Sequence, residues 1–153
     1  MRESLDKIAI SNFYSWTRHR VIKNIYGLVE NARYEAHKAT GKYRIGCILA
    51  NANGQIISRG FNKYKSHPIQ ADFAKRSGYE QKIYLHAEID TLIKYKRIIE
   101  FEGATLCVVR ITKSGSLAMS KPCPTCMFAI LESNYISNII YTDTNNINII
   151  SNI

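Results

Sequence analysis

Apolar residues recur at three- and four-residue intervals through residues 21–39, at Val21, Ile22, Ile25, Leu28, Val29, Ala32 and Ala36. That period paints one face of an amphipathic helix. Residues 5–39 contain no proline, so the helix is expected to run from about residue 5 and to stop at Gly41. Residues 43–50 are apolar on both faces, as a central strand is. Asn53-Gly54 predicts a type I′ hairpin turn, because both residues tolerate positive φ, and residues 55–60 then pair back as a second strand. Residues 62–82 have no clean period and hold Pro68 and Gly78. They read as a long loop with one helical turn around 71–75, and loops of that length are often functional. A helical pattern resumes at His86 with Ile89, Leu92 and Ile93, and residues 104–111 read as a buried strand. Gly115 lies in a turn, and Pro122 and Pro124 bracket the start of another helix carrying Met127, Ile130 and Leu131. Residues 135–142 give a further strand and 147–150 a last edge strand. The order α-β-β-α-β-α-β(-β) implies a layered α/β domain with helices against a mixed sheet.

The 153 residues suit one domain spanning 1–153, with the N-terminal helix (about 5–39) and a short C-terminal tail. With 46% apolar and 22% charged residues, disordered and fibrous classes are excluded. No apolar run approaches the roughly 18–20 residues of a membrane span, and Met1-Arg2-Glu3-Ser4-Leu5-Asp6-Lys7 lacks the apolar core of a signal peptide. A cytoplasmic protein with no membrane partner is expected. The net charge of +9 is unevenly placed: residues 1–44 carry +5, residues 59–97 carry +5 and residues 98–153 carry −1. Such a basic region attracts phosphate, on a free nucleotide or along a polynucleotide. Lysine-rich composition of the kind an AT-rich genome produces is the alternative source of the charge.

Four cysteines in a cytoplasmic chain do not suggest a disulfide framework. Cys47 and Cys107 sit inside apolar runs, where cysteine is a small buried hydrophobe. Cys123 and Cys126 flank Pro-Thr after a loop, and their spacing suits a metal or a redox centre. With His86 they supply one imidazole and two thiolates, soft ligands appropriate to Zn2+ that leave a fourth tetrahedral position for water. Their i, i+3 spacing at a helix start puts both sulfurs on one side of a first turn, where the helix dipole favours thiolate. Glu88, two residues from His86, would lie near the metal without binding it, as a proton shuttle does. Two plainer readings stand beside this. A redox Cys-x-x-Cys pair would not need His-x-Glu, and a structural zinc would need a fourth ligand, for which His19, His37 and His67 lack convincing spacing. Tyr64, Tyr79 and Tyr84 flank the expected pocket, as packing residues or as base-stacking platforms.

His86-Ala87-Glu88, followed by Pro122-Cys123-Pro124-Thr125-Cys126 with Cys123 37 residues after the histidine, resembles the zinc-dependent cytidine/deoxycytidylate deaminase superfamily. The resemblance covers roughly residues 43–143, including Gly60-Phe61-Asn62 and the closing Ile139-Ile140-Tyr141-Thr142-Asp143. It implies a cytidine deaminase-like fold, a three-layer α/β/α sandwich with a central five-stranded mixed sheet. It implies Zn2+ held by His86, Cys123 and Cys126, with Glu88 as general acid/base. It further implies that Asn62 contacts the substrate's sugar and that the Ala87 backbone N–H helps to hold the base. Lys121, beside Pro122, and Lys63 and Lys65, after Asn62, are expected near the sugar end. Members of this superfamily are often homo-oligomers, and a homo-oligomer is expected here.

The expected reaction is hydrolytic deamination of cytosine to uracil in a free (deoxy)cytidine nucleoside or nucleotide, releasing ammonia. Cytosine in single-stranded DNA or RNA ranks second and adenine third. Lys63-Tyr64 after Asn62 departs from the Gly-Tyr-Asn-Gly loop of deoxycytidylate deaminases, and Lys121 replaces the glutamate common in tRNA adenosine deaminases. A catalytically silent binding or regulatory relative is the reading from another class, and the intact Glu88 argues against it.

Overall fold

The computed structural model describes residues 9–10, 22–95 and 103–153. In chain order the elements are β1 (Ala9–Ile10), α1 (Ile25–Lys38), β2 (Arg44–Ala50), β3 (Ile56–Phe61), α2 (Pro68–Arg76), α3 (Ala87–Lys94), β4 (Ala104–Ile111), β5 (Leu117–Ala118), α4 (Pro124–Ser133), β6 (Ile136–Thr142) and β7 (Asn146–Ser151). Five strands of six or more residues form the sheet in the order β7-β6-β4-β2-β3, and β1 and β5 add two residues each at β7 and β4. The sheet is mixed: β4 and β6 run parallel, whereas β2–β3, β2–β4 and β6–β7 are antiparallel.

Side-chain alternation divides the core. Ile48, Ala50, Cys107, Val109 and Ile111 face one way and meet Leu28, Val29, Ala32 and Ala36 of α1. Cys47, Leu49, Leu106 and Val108 face the other way and meet Ala87 of α3 and Ile130 of α4. The result is the expected α/β/α sandwich. A bulge opposite Ala104 and Thr105 shifts the register of β6, which is how Ile136 and Ile139, three apart, reach the same core. Two glycines set how closely the layers approach. A Cβ at Gly46 would overlap the Ala32 carbonyl of α1, and one at Gly60 would overlap Thr91 Oγ1 and the Ala87 carbonyl of α3.

Several expectations need correction. The helix that ends at Lys38 begins at Ile25 rather than running unbroken from about residue 5, and Ala9 and Ile10 form a strand beside Asn146 and Ile147. The rest of 5–21 lies outside the described residues. The hairpin turn is not type I′. The Gly54 N–H bonds the Asn51 carbonyl at 2.9 Å, so Ala52 and Asn53 are its central residues, and only Gly54 is left-handed (φ 80). The Asn51 side chain selects this form by accepting from the N–H groups of Asn53 and Gln55, each at 3.0 Å. Residues 68–76 form a nine-residue helix rather than one turn in a loop. His67 caps it through Nδ1 and Ile69 N–H (3.1 Å), Pro68 starts it and Gly78 (φ 86) follows its end. No helix among the described residues is long and apolar enough to cross a membrane.

Candidate metal centre and active site

The site lies where α3 and α4 begin, and three hydrogen-bonded devices put it there. Thr112 N–H bonds the Ser116 carbonyl at 2.8 Å, closing the hairpin that returns the chain from β4 to β5. Ser120, buried just beyond, donates from Oγ to the Val108 carbonyl (2.6 Å) and accepts from Thr142 N–H (2.7 Å). It thereby pins the chain across the C-terminal ends of the two parallel strands, three residues before Cys123. On the other helix, fully buried Gln70 of α2 accepts from the His86 N–H at 3.1 Å and donates to the Lys82 carbonyl at 3.0 Å. His86 is the N-cap of α3 and Cys123 the N-cap of α4, with Pro124 in its first turn.

The donor atoms of His86, Cys123 and Cys126 all lie within 4.8 Å of one another. His86 Nδ1 is 3.3 Å from Cys126 Sγ and 3.5 Å from Cys123 Sγ. Zinc bonds of ~2.0–2.1 Å to nitrogen and ~2.3 Å to sulfur in a tetrahedron separate N and S by about 3.5 Å, so the arrangement fits that ion. Three protein donors of this kind are the number used where one position is kept for water.

Electrostatics favour the same chemistry. The Cys123 thiol is held well below its ordinary range, first by the hydrogen bond from Cys126 and then by His86, against the effect of burial. Burial pushes Cys126 up, and a cation bound between the two sulfurs would displace its proton. For His86 burial opposes the charged ring, but the Cys123 hydrogen bond and the Glu88 charge outweigh it and the net shift is upward. Glu88 is buried, and that burial raises its carboxyl, with His86 opposing. Its Oε2 accepts from Cys126 Sγ at 2.8 Å. A carboxyl whose proton affinity is raised by desolvation and that lies against a set of metal-ligating side chains has the environment of a proton-exchanging group.

The other expected residues are placed as follows. Ala87 is fully buried in the first turn of α3, where helix N–H groups lack intrahelical partners. The Asn62 carboxamide accepts from Ile45 N–H and donates to the Tyr43 carbonyl, both at 2.8 Å. It anchors the start of β2, keeping one N–H and one lone pair for another partner. The segment after it runs beside the metal ligand, with Lys63 N–H on the Leu85 carbonyl at 2.9 Å and Leu85 N–H on the Lys65 carbonyl at 3.0 Å. Lys121 and Lys65 are exposed. The Lys63 ammonium is already paired: its Nζ bonds Asp90 Oδ2 at 2.6 Å and the Phe61 carbonyl at 3.1 Å. Asp90, buried one turn beyond His86, also takes Lys94 Nζ at 3.0 Å and Phe61 N–H at 3.2 Å, clamping the end of β3 to α3. Gln70, Asp90 and Ser120 were not among the sequence candidates. Asp90 was within reach of sequence reasoning, because its i, i+4 relation to His86 puts both on one helix face. Cys47 and Cys107 are both fully buried, as expected. A 340 Å³ cavity between α2, α3 and α4, lined by Phe73, Ile89, Leu92, Ala129 and Tyr135, has none of the metal-site residues in its wall.

Fold and site together define a zinc-binding α/β/α domain with a buried carboxyl, Glu88, against its donor cluster. Residues 22–143 match the cytidine and deoxycytidylate deaminase zinc-binding region, and the chain belongs to that family. Its fold is shared with the dCMP deaminase of the cyanophage S-TIM5. The apo form of that enzyme aligns at TM-score 0.52 and 20% identity, over 77% of this chain and 81% of the phage chain. The same enzyme in complex with dCMP and dUMP aligns at TM-score 0.53 and 20% identity, over 80% and 83%. No curated protein matches the sequence.

Proposed function

We propose that the protein catalyses hydrolytic deamination of cytosine to uracil in a free (deoxy)cytidine nucleoside or nucleotide, with water consumed and ammonia released. The observation that carries this reading is Glu88, a buried carboxyl with its proton affinity raised, in contact with the His86–Cys123–Cys126 cluster. Zinc, when bound there, supplies a Lewis acid that brings the ionisation of water toward neutrality. Glu88 accepts the proton of the attacking water and delivers protons to the ring nitrogen and to the departing amine. The Ala87 N–H orients the base, the free N–H and lone pair of Asn62 meet the sugar, and Lys121 lies toward a 5′-phosphate. The similarity to a fold solved with dCMP and dUMP supports the nucleotide as substrate.

A substrate panel followed by mass spectrometry tests the reading, with cytidine, deoxycytidine, CMP, dCMP and adenosine offered to the zinc-loaded protein. Uracil products with ammonia from at least one cytosine compound are expected. Turnover of adenosine alone, or of none, would overturn it.

A further inference from the structure

Beside the metal site lie three exposed aromatic side chains linked to one another, the first of them, Tyr43, covered by cations. Tyr64 and Tyr84 meet edge to face with ring centroids 6.2 Å apart. The Tyr43 N–H donates to the Tyr64 hydroxyl oxygen at 3.2 Å. The Arg110 guanidinium stands 4.6 Å above the Tyr43 ring, and Lys42 Nζ stands 5.4 Å from it. The rings are 43% (Tyr43), 51% (Tyr64) and 54% (Tyr84) exposed, a large apolar area to leave in water without a partner. Arg110 Nε is buried and has no hydrogen-bond partner among the described residues, a donor left over beside a surface of positive charge. Exposed Lys65 borders Tyr64 in the chain.

The group is tied to the catalytic elements. Tyr84 lies two residues before His86, and Tyr43 is held by Asn62 through its carbonyl. Arg110 ends the β4 face that carries Leu106 and Val108, the face packed against α3 and α4. A set of aromatic faces among Lys and Arg suits a single-stranded polynucleotide, in which each unpaired base can stack and each phosphate can find a cation. A free mononucleotide has one base to stack, fewer than the three rings offered here.

We propose that Arg110, Tyr43, Tyr64 and Tyr84 form a binding surface for single-stranded polynucleotide beside the metal site. Binding needs no deamination. That a cytosine within the strand also enters the site rests on the deaminase reading above. The surface is charge-complementary to a strand and indifferent to its sequence, and it disfavours a duplex, whose bases are already stacked.

The test is fluorescence anisotropy of full-length, zinc-loaded protein with labelled oligothymidylate and oligouridylate of about 20 nucleotides, long enough for a site of the usual ~4–16. Neither probe contains cytosine, so binding is read without turnover. At low salt both are expected to bind, more tightly than a duplex of equal length, with log affinity falling by about 0.7 per phosphate contact for each tenfold rise in salt. Tyr84→Ala and Tyr43→Ala should each weaken binding about fivefold or more at unchanged zinc content. Arg110→Gln should reduce the salt slope by about one contact. Tyr34→Ala is the control: this ring is 58% exposed with Lys38 5.1 Å above it, but it belongs to α1 on the opposite layer, and no change is expected. Absence of binding at low salt overturns the proposal, as does equal weakening by Tyr34→Ala or indifference to the Tyr84 and Tyr43 changes. Preference for one probe assigns DNA or RNA. Failure to turn over any of the four cytosine compounds while strand binding persists counts against the proposed function alone.

Discussion

The two helical layers sit on one sheet and are held by different forces. On one side α1 offers Leu28, Val29, Ala32 and Ala36, and its buried acid Glu35 is turned to Lys38 and Arg59 at 3.0 and 3.7 Å. On the other, the eight-residue α3 buries Glu88, Asp90 and Thr91 beside only Ala87 and Ile89. Thr91 donates back to the Ala87 carbonyl at 2.8 Å, and Ser58 donates to the Thr91 carbonyl at 2.7 Å. Layer α1 is fixed by area removed from water, which is non-directional. Layer α3 is fixed by directional bonds, which cost more when broken but hold a carboxyl at a set place. A stabilising layer and a chemical layer are thus separable, and substitutions should sort them.

The largest effect belongs to the ligands. Cys123→Ala should lose nearly all bound zinc by metal analysis, abolish deamination and lower the melting temperature, since the ion ties two helix starts together. Equal zinc in variant and wild type would remove the metal centre from the account. Next comes Glu88→Gln, which keeps shape but not proton transfer. Deamination should fall by about 10² to 10⁴ with zinc retained; a variant keeping more than a tenth of the rate would break the assignment. Leu28→Ala on the opposite layer should cost about 2–5 kcal/mol in denaturant melts, yet leave kcat/KM of the folded protein close to wild type. A large catalytic loss below the melting range would show the layers to be coupled. The smallest effect is a pH slope. The Glu88 carboxyl is raised above its ordinary 4.5 in the folded protein, so the unfolded chain releases that proton first. Metal-free protein should therefore lose stability as pH rises from about the unfolded pKa through the raised folded one, and be flat above it. Melts of metal-free Glu88→Gln should lack this component; identical pH profiles would show that the carboxyl is not buried as described.

How much of this was legible beforehand follows from the same contrast. Strands with long apolar runs, such as Ala104–Ile111, were readable because burial on both faces leaves an unbroken pattern. The ligand set and Glu88 were readable because their spacing is local to two helix starts. Helix α2 was not, because its buried residues are Gln70 and Ala74, one polar and one small, which give no hydrophobic period. Its His-Pro start and Gly78 stop were the usable signals. The partner of Lys63 was invisible for another reason: Asp90 lies 27 residues away, and only the approach of β3 to α3 brings them together. The hairpin form depended on one Asn51 side chain, and two-residue strands such as β1 and β5 are too short to carry any period.

Gly60 touches no reacting atom, yet the depth of the catalytic helix is gauged by what it lacks. Its strand neighbour on β2 is Cys47, and the space a methyl group would fill is occupied by Thr91 and the Ala87 carbonyl of α3. A single added carbon would act as a shim under one of two separately mounted parts. His86 and Glu88 would be lifted, while Cys123 and Cys126, mounted on α4, would stay. The misalignment would be differential, spoiling the fit among three donors and one carboxyl without disturbing any of them chemically, and a displacement of ~1 Å in such a constellation is worth about a hundredfold in rate.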